Sequence, residues 1–266
     1  MNNGAVETRR LRILLELARL GSMRAVADEM ELTTSTVSQQ IAALARETGT
    51  ALIEPAGRRI RLTPAGRRLA EHSVTILPDG RLAVAVGDVT GHDRDAAAAM
   101  SQIRNLLRGI SYALPRPPAR VLSALNDAMT GLDVNVFATV VLAQVDPDTH
   151  EMRWSNAGHP PPLLLQPDGT AHLLEARAEP LLGTRFGGPR SNHSVQLQPG
   201  ASVVLYTDGL VERRDRGFDA ALRQLREALT GRADFSAEQL CDHLSARFAA
   251  DPEDDIVLTV VRRHPG

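Results

Sequence analysis

Lysine does not occur in this 266-residue chain; all 30 basic residues are arginine, a compositional habit with no functional reading of its own. Cysteine occurs once, at Cys241, which excludes an internal disulfide and a cysteine-built metal cluster and fits a reducing cytoplasm. The expected role of Cys241 is that of a half-buried helix residue. No run approaches the roughly 18 apolar residues of a membrane span, and no basic-then-apolar leader pattern opens the chain, so a cytoplasmic protein with no membrane partner is expected. Strong net charge is missing too: a value of −2 argues against a uniformly basic nucleic-acid binder. What is present, 43% apolar and 23% charged residues, is the composition of a globular protein, long enough for two cores.

The average charge hides a division. Residues 1–73 carry 11 Arg against 8 acidic residues, and the remainder 19 against 24, so a weakly basic head precedes an acidic body. In the head, Leu11, Leu14, Leu15 and Ala18 are spaced for one buried helical face. Gly21-Ser22 interrupts the pattern, and a second helix is expected from Met23 to Met30. The hydroxyls of Thr33-Thr34-Ser35-Thr36 can cap a third, whose apolar face is Val37, Ile41 and Leu44. Leu52-Ile53 and Ile60-Arg61-Leu62 read as two short strands about a basic turn, and Thr63-Pro64 opens a last helix. The sum is a winged helix-turn-helix, and the domains expected are residues 1–73 and 74–266.

In the body, Val74–Leu77, the turn Pro78-Asp79-Gly80 and Leu82–Val86 form a hairpin. Helices follow at Asp95–Ile110 and Ala119–Leu132, then strands near Phe137–Val145, Met152–Ser155, Leu163–Leu165, Ala171–Leu174, Ser194–Leu197 and Val203–Tyr206. One helical region, Asp219–Phe248, precedes a final strand, Ile256–Val261. The fold class is α+β, with a largely antiparallel sheet because turns such as Pro167-Asp168-Gly169 recur between neighbouring strands.

Three aspartates stand where strands end or begin: Asp88, Asp208 and Asp254. A carboxylate ending an apolar strand is costly unless its charge reaches water, a donor or a cation. Gly87, Gly91 and Gly209 permit close backbone approach around two of them. Oxygen-only ligands on rigid strands suit Mg²⁺ or Mn²⁺, and a pair of such ions can generate hydroxide and clamp a phosphoryl group with no nucleophilic Cys or Ser. Any one such Asp, taken singly, is more often a turn or cap residue.

Four segments in order change that balance. Leu77–His92 (LPDGRLAVAVGDVTGH), Asn156–Leu165 (NAGHPPPLLL), Val204–Arg213 (VLYTDGLVER) and Pro252–Leu258 (PEDDIVL) resemble the SpoIIE-like branch of the metal-dependent (PPM-type) protein phosphatases. The resemblance implies a C-terminal α/β/β/α sandwich, two Mn²⁺ or Mg²⁺ ions, and a phosphoserine or phosphothreonine on a partner protein, of the anti-sigma-factor-antagonist type, as substrate. It makes Asp88 the bridge between the ions, the Val89 carbonyl a ligand, and Asp208 and Asp254 the rest of the carboxylate set. Asp255 and Gly209 lend support around them. His92 and His159 take loop-structural roles ahead of ligand roles. The helices at Asp95–Ile110 and Ala119–Leu132 match the family's regulatory pair. The chain departs from the family at Asp93, where glycine is usual, and at Ala70 and Ser73, where relatives carry two aspartates that add carboxylate at the metal centre.

In the head, Gly21–Ala27 (GSMRAVA), Val37–Leu44 (VSQQIAAL) and Arg58–Gly66 (RRIRLTPAG) resemble the DNA-binding domain of LysR-type regulators. The resemblance turns Thr34, Ser35, Thr36, Ser38 and Gln39 to the major groove of double-stranded DNA and brings Arg58, Arg59 and Arg61 in the wing to phosphate. Such regulators read paired half-sites as dimers, so a homodimer is one expected assembly. The function expected is a metal-dependent phosphatase with a DNA-binding head. The alternative is a DNA-binding transcription regulator whose body is a catalytically weak or inactive sensor.

Overall fold

The computed structural model describes residues 10, 13–14, 16–17, 20–47, 51–56, 59–63, 74–91, 94–184, 188–211, 217–248 and 256–264. The chain divides into two compact units, Met1–Val74 and Thr75–Gly266.

In the first unit, α1 (Met23–Glu29) is capped by Ser22, whose hydroxyl accepts the Ala25 N–H at 3.2 Å, and ends where the Met30 N–H returns to Val26. A turn through Glu31, at φ 52°, leads to α2 (Thr34–Glu47). Of the four expected hydroxyls it is Thr33 that caps α2, accepting the Thr36 N–H at 3.1 Å. Val37, Ile41 and Leu44 are fully buried, as their spacing requires. They pack with Ile13, Leu14, Leu17, Val26 and Leu52. Leu14 is therefore a core residue as expected, while Leu11, Leu15 and Ala18 lie outside the described residues. β1 (Ile53–Ala56) and β2 (Arg59–Leu62) pair antiparallel, with Glu54 opposite Arg61. The helix expected after Thr63-Pro64 lies outside the described residues.

The body of the chain begins with β3 (Val74–Ile76), all but its first residue in the second unit, and β4 (Leu82–Val89), joined by a tight turn at Gly80, whose φ of 85° suits glycine. Two helices follow, α3 (Arg94–Ala113) and α4 (Pro118–Gly131), the latter with Pro in its first turn. Then come β5 (Ala138–Val145), β6 (Glu151–Ala157), β7 (Leu163–Leu165), β8 (Ala171–Leu173), β9 (His193–Gln196) and β10 (Ser202–Tyr206). The expected single helical region is two helices, α5 (Phe218–Leu229) and α6 (Ala237–Phe248). The break falls at Gly231, which sits at φ 77° and donates its N–H to the Gly169 carbonyl at 2.8 Å. Cys241 is half-buried on α6, as expected, and burial beside Asp242 and Glu238 pushes its thiol up to about 11. The last strand, β11 (Leu258–Arg262), starts two residues later than its apolar run suggests.

The strands form two sheets, in the orders β3-β4-β5-β6-β9 and β11-β10-β7-β8. Alternation shows how they stack. Val140 and Leu142 of β5 share a core with Ile103 of α3 and Leu122, Leu125 and Met129 of α4. Val204 and Tyr206 of β10 share another with Leu225 of α5 and Leu240 and Leu244 of α6. The intervening positions, Val84, Val86, Val141, Ala143, Val203 and Leu205, are buried as well. Each sheet is thus covered on both faces, by helices on one and by the other sheet on the second, giving the α/β/β/α order. Parity puts Asp88 on the side of Val84 and Val86, and Thr139 on the side of Val141: both belong to the layer between the sheets. Gly87 is needed here, since a Cβ at that position would stand 2.6 Å from the Thr139 carbonyl oxygen of β5.

Candidate functional site

Asp88 is the penultimate residue of β4, half-buried, directly across from Thr139 of β5. The Thr90 N–H donates to the Phe137 carbonyl at 2.9 Å. In an antiparallel ladder this makes Asp88–Thr139 a bonded pair and Val89–Ala138 a non-bonded one, whose main-chain groups point away from each other. Ala138 turns its own to Leu182, with bonds of 3.2 and 2.9 Å, and the Val89 carbonyl points away from β5.

Asp208 begins a short 3-10 turn, Asp208–Leu210, just beyond β10. It too is half-buried. The Gly209 N–H donates to its Oδ1 at 3.0 Å, and its carbonyl accepts the Val211 N–H at 2.7 Å. Thr207 ties this turn to the strand after it: its N–H donates to the Val257 carbonyl (3.0 Å), and its hydroxyl accepts the Val257 N–H (2.9 Å). Asp254, Asp255 and His92 lie outside the described residues. Among the described residues no group of three or more His, Cys, Asp or Glu is gathered, and of the expected carboxylate set they contain Asp88 and Asp208. The donors present, two carboxylates and a strand-end carbonyl, are all oxygens, the chemistry a hard divalent cation takes.

His159 joins the two sheets. Its Nδ1 lies 2.8 Å from the Thr139 hydroxyl and its Nε2 2.9 Å from the Tyr206 carbonyl, two residues before Asp208. The loop is clamped by Asn156, whose side chain donates to the His159 carbonyl and accepts its N–H, both at 2.7 Å. The loop role expected of His159 thus extends to a link between sheets, and its partner Thr139 is a residue that the motifs do not mark. The one signal for Thr139 is a hydroxyl in an otherwise apolar half-strand.

At 6% exposure, burial pushes the His159 imidazole down to about 4, with the Tyr206 carbonyl acting weakly against it. The unfolded chain therefore takes up this proton first as the pH falls. Stability from the neutral ring is whole above 6.5 and is lost progressively down to about 4, a cost of roughly 3 kcal/mol. Urea unfolding at pH 7 and pH 4 checks this: His159→Gln should lack that component of the acid slope, and equal slopes for both proteins would refute it.

In the first unit Thr34, Ser35, Ser38 and Gln39 are exposed on α2, while Thr36 is half-buried and bonded to the Thr33 hydroxyl at 2.9 Å. Gln40, beside them, accepts from Arg10 at 3.0 Å. Arg61 is exposed and paired with Glu54 at 2.6 Å, an ion pair worth at most about 1 kcal/mol, which a phosphate can displace. Arg58 and the side chain of Arg59 lie outside the described residues.

Comparison with known proteins divides the chain similarly. A family profile described as stage II sporulation protein E (SpoIIE) matches residues 78–264, and one described as bacterial regulatory helix-turn-helix protein, lysR family, matches residues 8–67. The chain is 29% identical over 189 residues to the phosphoserine phosphatase RsbU of Bacillus subtilis, covering 68% of this chain and 55% of that protein. It is 46% identical over 63 residues to an uncharacterized HTH-type transcriptional regulator of Sinorhizobium fredii, covering 24% of this chain and 21% of the regulator. The solved structure of the RsbU and RsbW domains of a Mycobacterium tuberculosis protein superposes with a TM-score of 0.62 at 32% identity, over 73% of this chain and 55% of that one. The chain thus spans about half the length of these phosphatase relatives.

Proposed function

Because the chain belongs to the stage II sporulation protein E (SpoIIE) family through residues 78–264, we propose that residues 74–266 act as a metal-dependent phosphoserine and phosphothreonine protein phosphatase. Residues 1–73 then serve as a LysR-like DNA-binding domain that localises or regulates it. The observation that carries this reading is that two half-buried carboxylates flank one bridge between the sheets, Asp88 directly across the β4–β5 ladder from Thr139 and Asp208 two residues beyond Tyr206, with His159 spanning the Thr139 hydroxyl and the Tyr206 carbonyl.

Asp88, the Val89 carbonyl, Asp208 and Asp254 would hold two Mn²⁺ or Mg²⁺ ions. When bound, such ions supply hydroxide at neutral pH and offset the charge of a phosphoryl group. Gly209 orients the Asp208 carboxylate through its N–H, and the resemblance gives Asp255 a supporting role at the same centre. The substrate is a cytoplasmic phosphoprotein of the anti-sigma-factor-antagonist type, and the assembly a homodimer that pairs two DNA-reading heads. Among the described residues no helix is long and apolar enough to cross a membrane. The test is phosphate release from p-nitrophenyl phosphate and from a phosphoserine peptide with Mn²⁺, with Mg²⁺ and after EDTA. Release that persists unchanged in EDTA removes the metal mechanism.

A second reading, a DNA-binding regulator with a weak or inactive phosphatase-like sensor, is favoured by Ala70 and Ser73 standing at the two positions where the family resemblance implies aspartate. Background release in every metal, with duplex binding retained, would select it. Under both readings the head binds duplex DNA in a salt-sensitive way. Neutralising Arg58, Arg59 and Arg61 together should flatten the slope of log K against log salt by about 0.9 for each phosphate left unneutralised. If the full chain shifts no duplex even at low salt, the head is a scaffold.

A further inference from the structure

Asp88 and Asp208 belong to different sheets, and the layer between those sheets is largely aliphatic: Val84, Val86 and Val141 on one side, Val203 and Leu205 on the other. Apolar contact is non-directional, so this packing alone leaves the sheets free to slide by fractions of an ångström. A two-ion site tolerates little such movement. Something directional has to set the spacing.

The imidazole of His159 meets that need. A carbonyl oxygen only accepts, so Nε2 carries the hydrogen and donates to Tyr206 at 2.9 Å. In the neutral ring Nδ1 is then an acceptor, and the Thr139 hydroxyl donates to it at 2.8 Å. With both nitrogens engaged inside the protein, the ring has no atom left for a metal or for proton transfer. Its own placement is over-determined. Asn156 clamps the His159 main chain through two 2.7 Å bonds, and the Tyr206 hydroxyl donates to the Pro161 carbonyl at 2.9 Å. Gly158, at φ 69°, lets the turn pass where a Cβ would stand 2.3 Å from Leu181. The far end of the bridge is equally specific, because Thr139 faces Asp88 across the β4–β5 ladder and opposed residues share one side of the sheet.

We propose that His159 is a positioning residue: through Thr139 on one sheet and the Tyr206 carbonyl on the other, it sets the separation of Asp88 from the Asp208 turn. The inference rests on the reading of that edge as a metal centre.

The experiment uses the full chain and the variants Thr139→Val, Thr139→Ser, His159→Gln and their Val/Gln combination. Mn²⁺ affinity is read by paramagnetic resonance titration, and amide hydrogen exchange is read without metal. Thr139→Val and His159→Gln should each weaken Mn²⁺ binding tenfold or more. The double variant should be no worse than either single one, and Thr139→Ser, which keeps the hydroxyl, should match the parent. In Thr139→Val the amides of residues 207–209, just beyond β10 of the other sheet, should exchange faster. A purely local effect at Asp88 would leave them unchanged. Unaltered affinity, losses that multiply in the double variant, or unchanged exchange at 207–209 would each overturn the proposal. Should the parent bind no Mn²⁺, the metal-centre reading fails on that result, and the exchange data alone decide whether the bridge couples the two edges.

Discussion

Replacing Asp88 by Asn is expected to lower Mn²⁺-dependent hydrolysis of p-nitrophenyl phosphate by about a thousandfold or more, corresponding to roughly 4 kcal/mol of lost transition-state stabilisation. On the proposed reading, removing the Asp88 carboxylate would leave the bound cations poorly neutralised, and the amide that replaces it is a weak ligand. Asp208→Asn should have a comparable effect. Neither change should unfold the protein: both side chains are half-exposed, and the amide oxygen that Asp208→Asn introduces can still accept the Gly209 N–H, which Asp208 holds at 3.0 Å. Initial rates and thermal midpoints, measured on the same preparations, separate the two effects. Turnover that survives in Asp88→Asn, with the midpoint unchanged, would remove Asp88 from the centre.

What could be read in the sequence was local. Val37, Ile41 and Leu44 announce α2 because one helix face repeats within eight residues, and Thr33 supplies its cap at the expected place. The hairpins at Asp79-Gly80 and Asp168-Gly169 follow from turn chemistry that acts over four residues. The break between α5 and α6 was missed, because apolar spacing runs across it; the signals that mark it are Gly231 and the pair Ser236 and Gln239, whose reciprocal bonds at 2.8 and 3.1 Å open the second helix. The partition into two sheets was not legible, since β7 follows β6 in the chain yet pairs with β10. The bridging role of His159 was hidden for the same reason: its partners lie 20 residues before it and 47 after it, and a single histidine in a glycine-proline loop carries no mark of either. The motifs around them are what single out the aspartates, and what the fold adds is the parity that turns Asp88 between the sheets.

The two positions where the family resemblance places aspartate and this chain carries none set the second large expectation. Residues 70 and 73 lie outside the described residues, and the resemblance is what bears on them: it brings carboxylate to the metal centre from both positions. A carboxylate held near the ions contributes several kcal/mol by binding an ion or orienting its water. Restoring both, in the variant that combines Ala70→Asp with Ser73→Asp, is therefore expected to tighten Mn²⁺ binding and to raise turnover about a hundredfold, equivalent to roughly 3 kcal/mol of transition-state stabilisation. Metal titration and initial rates on parent and variant, at matched circular dichroism, test this. A parent that already turns over as fast as the restored variant would show that another group fills the place of the missing carboxylates, Glu71 being the nearest acid in the sequence.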